Sequence, residues 1–598
     1  MEIQYTMKLT KIAAIATLVS VLPLALHAQS WSDWSDSEDL SIDNSSRSND
    51  DFSSEDDFSS EDDFASGDDF SSSDSLADDG DGFGSDDFSS FGDDDFASDD
   101  FGGGGFGGSE FGGFGGGDDN SSGGLPITFS GDLSLDTRYY FSQDDSDYFL
   151  EHYVNASSMS FNTNLKTMTP LLSRNSSGDK VKIQDATISA IPRAKLGIEY
   201  AGSFSDASLK LNLTKETLKD HHEDIIDELI LRGYFADSHL TIEAGKMRVV
   251  WGKGDKLHVL DNFNADDYTD FVVQDYIDRR LSTPMLHATY TFDDPVIAIE
   301  GVFTPFLPTD RFAEEGMWVP GEFAKLSGLS ANLGKGTTLP DTNKLKYAQF
   351  GFQVTGTLAS FDWGINYYYG HYKQPSPDLT PLATAMTDMK RLQAAVAAGR
   401  MTPAQMQATI NSALANMGVE LDYDRKQTFG IEGATVVGPL NLRGELCYNL
   451  TDDVAGDDPW VHNNSIGWLV GFDIDLAISN VNVNVQETGT YILHNNKIKD
   501  GKYAVLDVDY NDKKRYSNDR LVINISDSLM HDKLKPEISF LWGIERGDFV
   551  VQPKIVYAPT PGLSFSLSGM YINCADKNSE FNYWKHNDFI NLGVRYQF

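Results

Sequence analysis

Residues 589–598 read Phe-Ile-Asn-Leu-Gly-Val-Arg-Tyr-Gln-Phe. Successive side chains of an extended strand point to opposite sides, so Ile590, Leu592, Val594, Tyr596 and Phe598 share one face and Asn591, Gly593, Arg595 and Gln597 the other. The same division recurs upstream. Leu563, Phe565, Leu567 and Tyr571 alternate with Ser564, Ser566 and Ser568, and Ile538, Phe540, Trp542 and Ile544 alternate with Ser539, Gly543 and Glu545. Each strand therefore has one apolar and one polar face. That pattern suits a soluble sandwich, whose apolar faces meet in a core, or a membrane barrel, whose apolar faces meet lipid while the polar faces line a lumen.

Three features select the barrel. Lys8 and Lys11 precede the apolar run Ile12 to Leu26, which is broken by Pro23 and followed by Ala28 at a small-residue boundary, the layout of a cleaved secretory signal peptide over residues 1–28. The run is shorter than the roughly 20 residues of a spanning helix, and no later segment reaches that length, so any crossing of a membrane falls to a closed barrel. Aromatic residues such as Tyr139, Phe141, Tyr367, Tyr369 and Tyr571 sit near strand ends, where a membrane interface would hold them. The amphipathic last strand ending at Phe598 resembles the signal by which outer-membrane barrels are recognised, which implies the barrel assembly machinery as a partner. The expected class is all-β, a transmembrane antiparallel β-barrel of about 18 strands (roughly 16–18) over residues 125–598, in the lipid of the outer membrane of a Gram-negative-type bacterium.

The links between strands check this count. Short links fall at Gly202, Ala236 to Ser238, Asp293 and Asp294, Ala359, Gly438 and Pro439, Ser479 and Asn480, and Pro559 to Gly562, all on one side. Long links at 142–186, 249–282, 305–345, 373–425, 451–465, 493–518 and 572–587 fall on the other, as periplasmic turns and extracellular loops do in such barrels. The first strand then begins near Ile127 in the periplasm, and Asn155 to Leu165 offers one further candidate strand. Within 373–425 the strand pattern gives way to a helical hairpin. Pro381 to Ala398 stops at Gly399, and Thr402, Pro403 and Gln405 supply a capping threonine, a first-turn proline and a capping-box glutamine for a second helix ending at Gly418.

The net charge of −45 is concentrated in residues 29–124. From Trp31 to Gly124, 29 Asp and Glu face the single Arg47, which accounts for 28 of those charges. Phenylalanine recurs at Phe52, Phe58, Phe64 and Phe70, then at Phe91, Phe96, Phe101, Phe106 and Phe111 in a Gly-rich tract. With no aliphatic core to offset an ordering cost of about 1–2 kcal/mol per residue, this stretch reads as a disordered acidic spacer. Its regular aromatics could also be contact points for a periplasmic partner of residues 31–124. The repeats lack the spacing of a calcium loop. So acidic a chain offers no basic patch for nucleic acid.

Gly245 to Tyr268 contains Gly-Lys-Met-Arg-Val-Val-Trp-Gly-Lys-Gly-Asp and then Val-Leu-Asp-Asn-Phe-Asn-Ala-Asp-Asp-Tyr. It resembles a family of Gram-negative outer-membrane proteins known as a domain of unknown function, in which a Gly-Arg/Lys strand ends in Trp-Gly and is followed by Asp and an Asn-Pro-x-Asp turn. Gly245, Trp251, Gly252, Asp261, Asn264 and Asp267 match that pattern, and Ala265 replaces the usual proline. The resemblance implies a barrel and leaves its cargo open. Read without it, Trp251-Gly252 is an ordinary interfacial anchor at a strand end.

Polar-face parity places Asp132, Asp136, Arg138, Arg193, Lys195, Glu199, Lys210, Glu228, Arg232, Glu300, Asp362, Arg443, Glu445, Asp473, Asp475, Lys554 and Arg595 in the lumen, and leaves the direction of Lys246 and Arg248 open. Mixed charge points to an aqueous channel for small polar solutes, with a plugged barrel whose charges pair across strands as the alternative. Loop 249–282, with Asp261, Asp266, Asp267, Asp270, Asp275, Asp278, Arg279 and Arg280, is the expected constriction. The other reading is a non-conducting surface barrel acting as an adhesin or structural protein. His221, His222, Glu223 and Asp224 form the densest metal-like group, but adjacent loop histidines are usually solvated, and no cofactor is expected. Cys447 and Cys574 define neither a disulfide framework nor a metal site. No nucleophile elbow, phosphate loop or His-Glu-x-x-His occurs, so the sequence carries no enzyme signature.

Overall fold

The computed structural model describes residues 126–141, 143–144, 182–184, 186–270, 276–313, 318, 336–501, 507–510, 515–575, 581 and 584–598. The expected signal peptide, the acidic segment and the candidate strand Asn155 to Leu165 lie outside the described residues.

Eighteen strands close into an antiparallel barrel. In chain order they are β1 Ile127–Tyr140, β2 Thr187–Ala201, β3 Ser205–Thr214, β4 Ile226–Phe235, β5 Leu240–Met247, β6 Thr283–Asp293, β7 Val296–Thr304, β8 Gln349–Leu358 and β9 Phe361–His371. The second half comprises β10 Arg425–Val437, β11 Leu440–Thr451, β12 Ser465–Asp475, β13 Asn482–Ile492, β14 Ser517–Ser526, β15 Leu534–Gly543, β16 Asp548–Thr560, β17 Leu563–Asn573 and β18 Phe589–Gln597. Each strand pairs with its neighbours in sequence, and β18 closes on β1 with Asp132 opposite Gln597 and Tyr140 opposite Phe589. The seam is locked at the last residue, where Phe598 and Gly131 exchange backbone hydrogen bonds of 2.8 and 2.9 Å. Closure removes every free edge, which hydrocarbon would leave unsatisfied.

The pleat sorts the side chains as the alternation requires. On β18 the outward Ile590, Leu592, Val594 and Tyr596 are exposed and the inward Phe589 and Asn591 are buried. Exposed aromatics gather in two bands on the outer surface. Tyr139, Tyr448, Tyr491, Trp542 and Tyr571 mark the long-loop end, and Tyr200, Phe235, Phe292, Phe361 and Tyr596 the short-turn end. An apolar wall between aromatic bands is the surface of a barrel seated in hydrocarbon.

The links divide by end, with three additions to the expected list, the first being residues 215–225, which join β3 to β4 at the long-loop end. Residues 527–533 form a further link at the short-turn end, and 544–547 a tight four-residue turn at the long-loop end. The latter was hidden because Glu545 prolongs the alternation of β15, while Gly547 takes the left-handed conformation (φ 72°) that reverses the chain. In the β9–β10 loop, α1 Thr380–Ala397 and α2 Pro403–Asn416 form a hairpin. The Thr402 N–H donates to Gln405 Oε1 (2.9 Å) and the Gln405 N–H to Thr402 Oγ1 (3.3 Å), a reciprocal cap at the start of α2.

Candidate functional site

The chain that leaves β5 at Met247 turns into the barrel. Two glycines allow the entry: Gly245 (φ 148°) and Gly252 (φ 117°) adopt backbone conformations that L side chains rarely take. A Cβ at Gly245 would collide with the Leu229 carbonyl, and one at Gly252 with Glu445. Beyond them the segment reaches the far wall. Glu445 on β11 accepts the N–H groups of Lys253, Gly254 and Val259, each at 2.8 Å, and of Leu260 at 3.3 Å. Asp255 is gripped by Arg443 on β11 and by Asn484 (2.6 Å) and Gln486 (2.8 Å) on β13.

The segment then returns. Asp270 pairs with Arg138 on β1 (2.9 Å) and Arg193 on β2 (3.6 Å), and Asp278 with Lys195 on β2 (2.8 Å). In a ring of 18 strands, β1–β2 and β11–β13 lie on opposite sides, so a stretch anchored on both crosses the lumen. The crossing has its own apolar core, in which Trp251, Phe263, Met247 and Val249 pack on the inward Met285, Val302 and Tyr368. Trp251 stands edge-on to Phe263 with ring centroids 4.9 Å apart, and Phe263 edge-on to Tyr368 at 5.2 Å.

Gly245, Trp251, Gly252, Asp261, Asn264 and Asp267 all belong to this entry and crossing. Asn264 accepts the Val249 N–H (2.9 Å) and donates to the carbonyls of Met247 (3.1 Å) and Leu281 (2.9 Å), stapling entry to exit. Asp261 takes Arg280 (2.8 Å) and the Tyr276 hydroxyl (2.6 Å). Asp267 pairs with Arg311 (3.3 Å) from the β7–β8 loop. The reading of Trp251-Gly252 as an interfacial anchor is corrected: Trp251 is 2% exposed and points inward, because the backbone turns at Gly252 before reaching the membrane interface.

Charges on the inward faces form paired groups. Arg595 meets Asp132, Arg193 meets Asp136 (3.6 Å), Lys210 meets Glu228 (2.9 Å) and Arg232 meets Glu243 (2.7 Å). Glu228 also takes Arg248 (2.8 Å), and Arg248 pairs further with Asp227 (2.6 Å). Lys246 stands on the outward parity of β5 and bonds Asp224 at 2.9 Å. Arg443 bridges Asp255 and Asp473. On β7–β12 acids predominate: Glu300, Asp362, Glu432, Glu445, Asp473 and Asp475 share the inward parity with Lys426 and Arg443. Asp362 and Asp475 are exposed at the short-turn end.

Within the crossing, Arg279 and Arg280 both reach Asp266, at 3.3 and 3.4 Å. Burial raises the pKa of Asp261 although Arg280 pulls the other way. Burial, with Asp266 alongside, also raises that of Asp310 in the β7–β8 loop. Asp275 lies outside the described residues. Residues that single-sequence reading passed over include Asp255, Glu243, His287, Gln486 and Lys426. Asp255 lay within the chosen loop, but nothing in its spacing marked its partners, which are 188 to 231 positions away.

At the long-loop end, His222 Nδ1 lies 3.1 Å from the Thr217 carbonyl, and Asp224 is occupied by Lys246 and Arg311. These neighbours divide the His221–Asp224 group between separate partners. His462 ties three loops together. Its ring meets Asp509 (2.9 Å), its N–H donates to Asp424 (2.9 Å), and it lies 4.4 Å from the ring of Tyr372. Burial opposes its charge, but Asp509 and Asp424 outweigh that and push its pKa up to about 9.

No curated protein matches the chain. Among solved structures it is similar to Salmonella typhi OmpF in complex with daunomycin (8% identity, 79% of this chain and 98% of that chain covered, TM-score 0.34). It is similar also to Pseudomonas putida OprB (9%, 79% and 94%, 0.35) and Acinetobacter baumannii OccAB3 (10%, 79% and 99%, 0.35). Residues 210–467, which include the whole crossing segment and the β11 carboxylate that anchors it, match the model of a family described as a protein of unknown function (DUF1302).

Proposed function

We propose that this chain is an outer-membrane channel in which small polar solutes diffuse through a mixed-charge lumen past the crossing segment 248–282. The short-turn end is taken as periplasmic and the long-loop end as extracellular. The observation that carries the reading is the anchoring of one segment on two opposite walls, at Glu445 and Asp255 on one side and Asp270 and Asp278 on the other. A segment so fixed divides the lumen and sets its narrowest level, where Asp261, Asp266, Arg279 and Arg280 stand. The excess of carboxylates on β7–β12 supports a preference for cations. The roles of Phe598 in engaging the assembly machinery and of residues 31–124 in contacting a periplasmic partner belong to the same proposal.

Reconstitution of the folded protein in a planar bilayer tests it. Stepwise conductance with cation preference is expected, and folded protein that never conducts would sink the reading. The second reading, a non-conducting surface barrel, draws on the packing of one side of the lumen, where Gln349, Thr428, Asn484 and Gln486 are fully buried.

A further inference from the structure

At mid-depth the outer surface departs from its apolar pattern at one place among the described residues. Residues near the middle of other strands face outward as Leu231, Ile299, Ile365, Ile431, Val470 and Leu592, all exposed. On β13 the outward residue at the centre is Glu487, sixth of eleven. It accepts the indole N–H of Trp468, outward on β12, at 3.0 and 3.3 Å. Leu521 on β14 is directly opposite Glu487, and Asp519 is opposite Gly489, so Asp519 stands diagonally above Glu487 on the same outer face. Above that, Glu545 in the β15–β16 turn accepts the Asp519 N–H (2.8 Å) and the Ser517 hydroxyl (2.8 Å). Among the described residues no Lys, Arg or His side chain pairs with any of these three carboxylates.

Hydrocarbon gives a carboxylate at mid-depth neither water nor a counter-charge, and such residues in membrane proteins face protein or a wet cavity. Of these two surroundings, a covering protein surface suits a carboxylate that stands on the outer face of the barrel. The chain itself carries a matching cation. Arg425, first residue of β10, stands on the outward parity at the same long-loop end, with a side chain 46% exposed that lies 5.8 Å from the Tyr369 ring and, among the described residues, has one carboxylate partner, Asp452, 3.9 Å away.

The spacing of the two features fits a ring. Eighteen strands give each about 20° of the circumference, so β10 and β14, four strands apart, face directions about 80° apart. In a closed ring of identical subunits, each copy's two contacts lie about 60° apart for three copies and about 90° for four. We infer that the outer face of β12–β14 is covered by a second copy of this chain in a ring of three or four, with Arg425 of one copy set against Asp519 and Glu545 of the next. Glu487 and its Trp468 partner then lie beneath that contact, shielded from lipid. This inference is independent of whether the lumen conducts.

Native mass spectrometry of the full-length protein, in mild detergent and in lipid nanodiscs, tests it. Three or four copies are expected. Arg425→Asp and Asp519→Arg should each weaken assembly about tenfold or more, and the two together should restore it, as swapped charges at one contact do. Heat-modifiable gel migration confirms that each variant is folded. A monomer in both media, a different polypeptide or a bound divalent cation on this face, or a double variant no better assembled than the singles would each overturn the inference.

Discussion

Glu445 on β11 holds the backbone of Gly254 by a 2.8 Å hydrogen bond, 191 residues earlier in the chain and across the lumen from the strand that segment leaves. The same carboxylate also takes Lys253, Val259 and Leu260. One side chain thus fixes the turn of the crossing segment. Removing it leaves those amide groups without their acceptor in a buried place, so Glu445→Ala should loosen the crossing by about 3–5 kcal/mol. The expected readout is a larger and noisier single-channel conductance with the barrel still folded. An unchanged conductance trace would mean that the crossing does not set the narrowest level.

Arg443 stands between Asp255 and Asp473, so its charge is balanced on two sides. Asp473→Asn together with Asp475→Asn removes two carboxylates from the acid-rich wall. Cation preference, read from the reversal potential under a salt gradient, should fall. Arg443→Gln should move it the opposite way.

The two faces of one strand pair should respond differently to the same charge. Leu592 faces outward at 59% exposure, while Ser566 faces inward. Leu592→Lys should cost about 2–4 kcal/mol in folding titrations into lipid vesicles, and Ser566→Lys, which keeps its ammonium in the lumen, under about 1 kcal/mol. Equal costs at both positions would contradict the assigned faces.

His462 sets a pH limit on the long-loop end. Its pKa is raised from 6.5 to about 9 in the folded protein, so the stability it adds is complete below about pH 6.5 and is lost as pH rises through 9. Hydrogen exchange in the 452–464 and 507–510 loops should therefore speed up between about pH 8 and 10, beyond the intrinsic rise, and His462→Gln should abolish that transition.

Much of the fold was legible because a strand declares its two faces every second residue. In the strand registers Arg193, Glu228, Glu445 and Asp473 lie opposite Ser134, Lys210, Glu432 and Asn441, on the polar face of the pleat. The tight turn at 544–547 escaped notice because Glu545 continued the alternation beyond the strand end. Lys246 was ambiguous because the chain leaves the sheet one residue later, and parity carries no information once the pleat stops.

The sequence alone determined that the chain closes a sheet with one apolar side, since local alternation fixes which way each side chain points and hydrocarbon tolerates no open edge. It also marked Gly245, Trp251, Gly252, Asp261, Asn264 and Asp267 as a unit without saying what the unit does. Only the tertiary structure decided that these residues carry a segment across the lumen to Glu445 and Asp255, and that Asp519 and Arg425 stand on the outer surface at the same long-loop end. Those relationships join residues separated by many strands. Their spacing follows from the circumference of the closed barrel, a quantity that no local stretch of the chain contains.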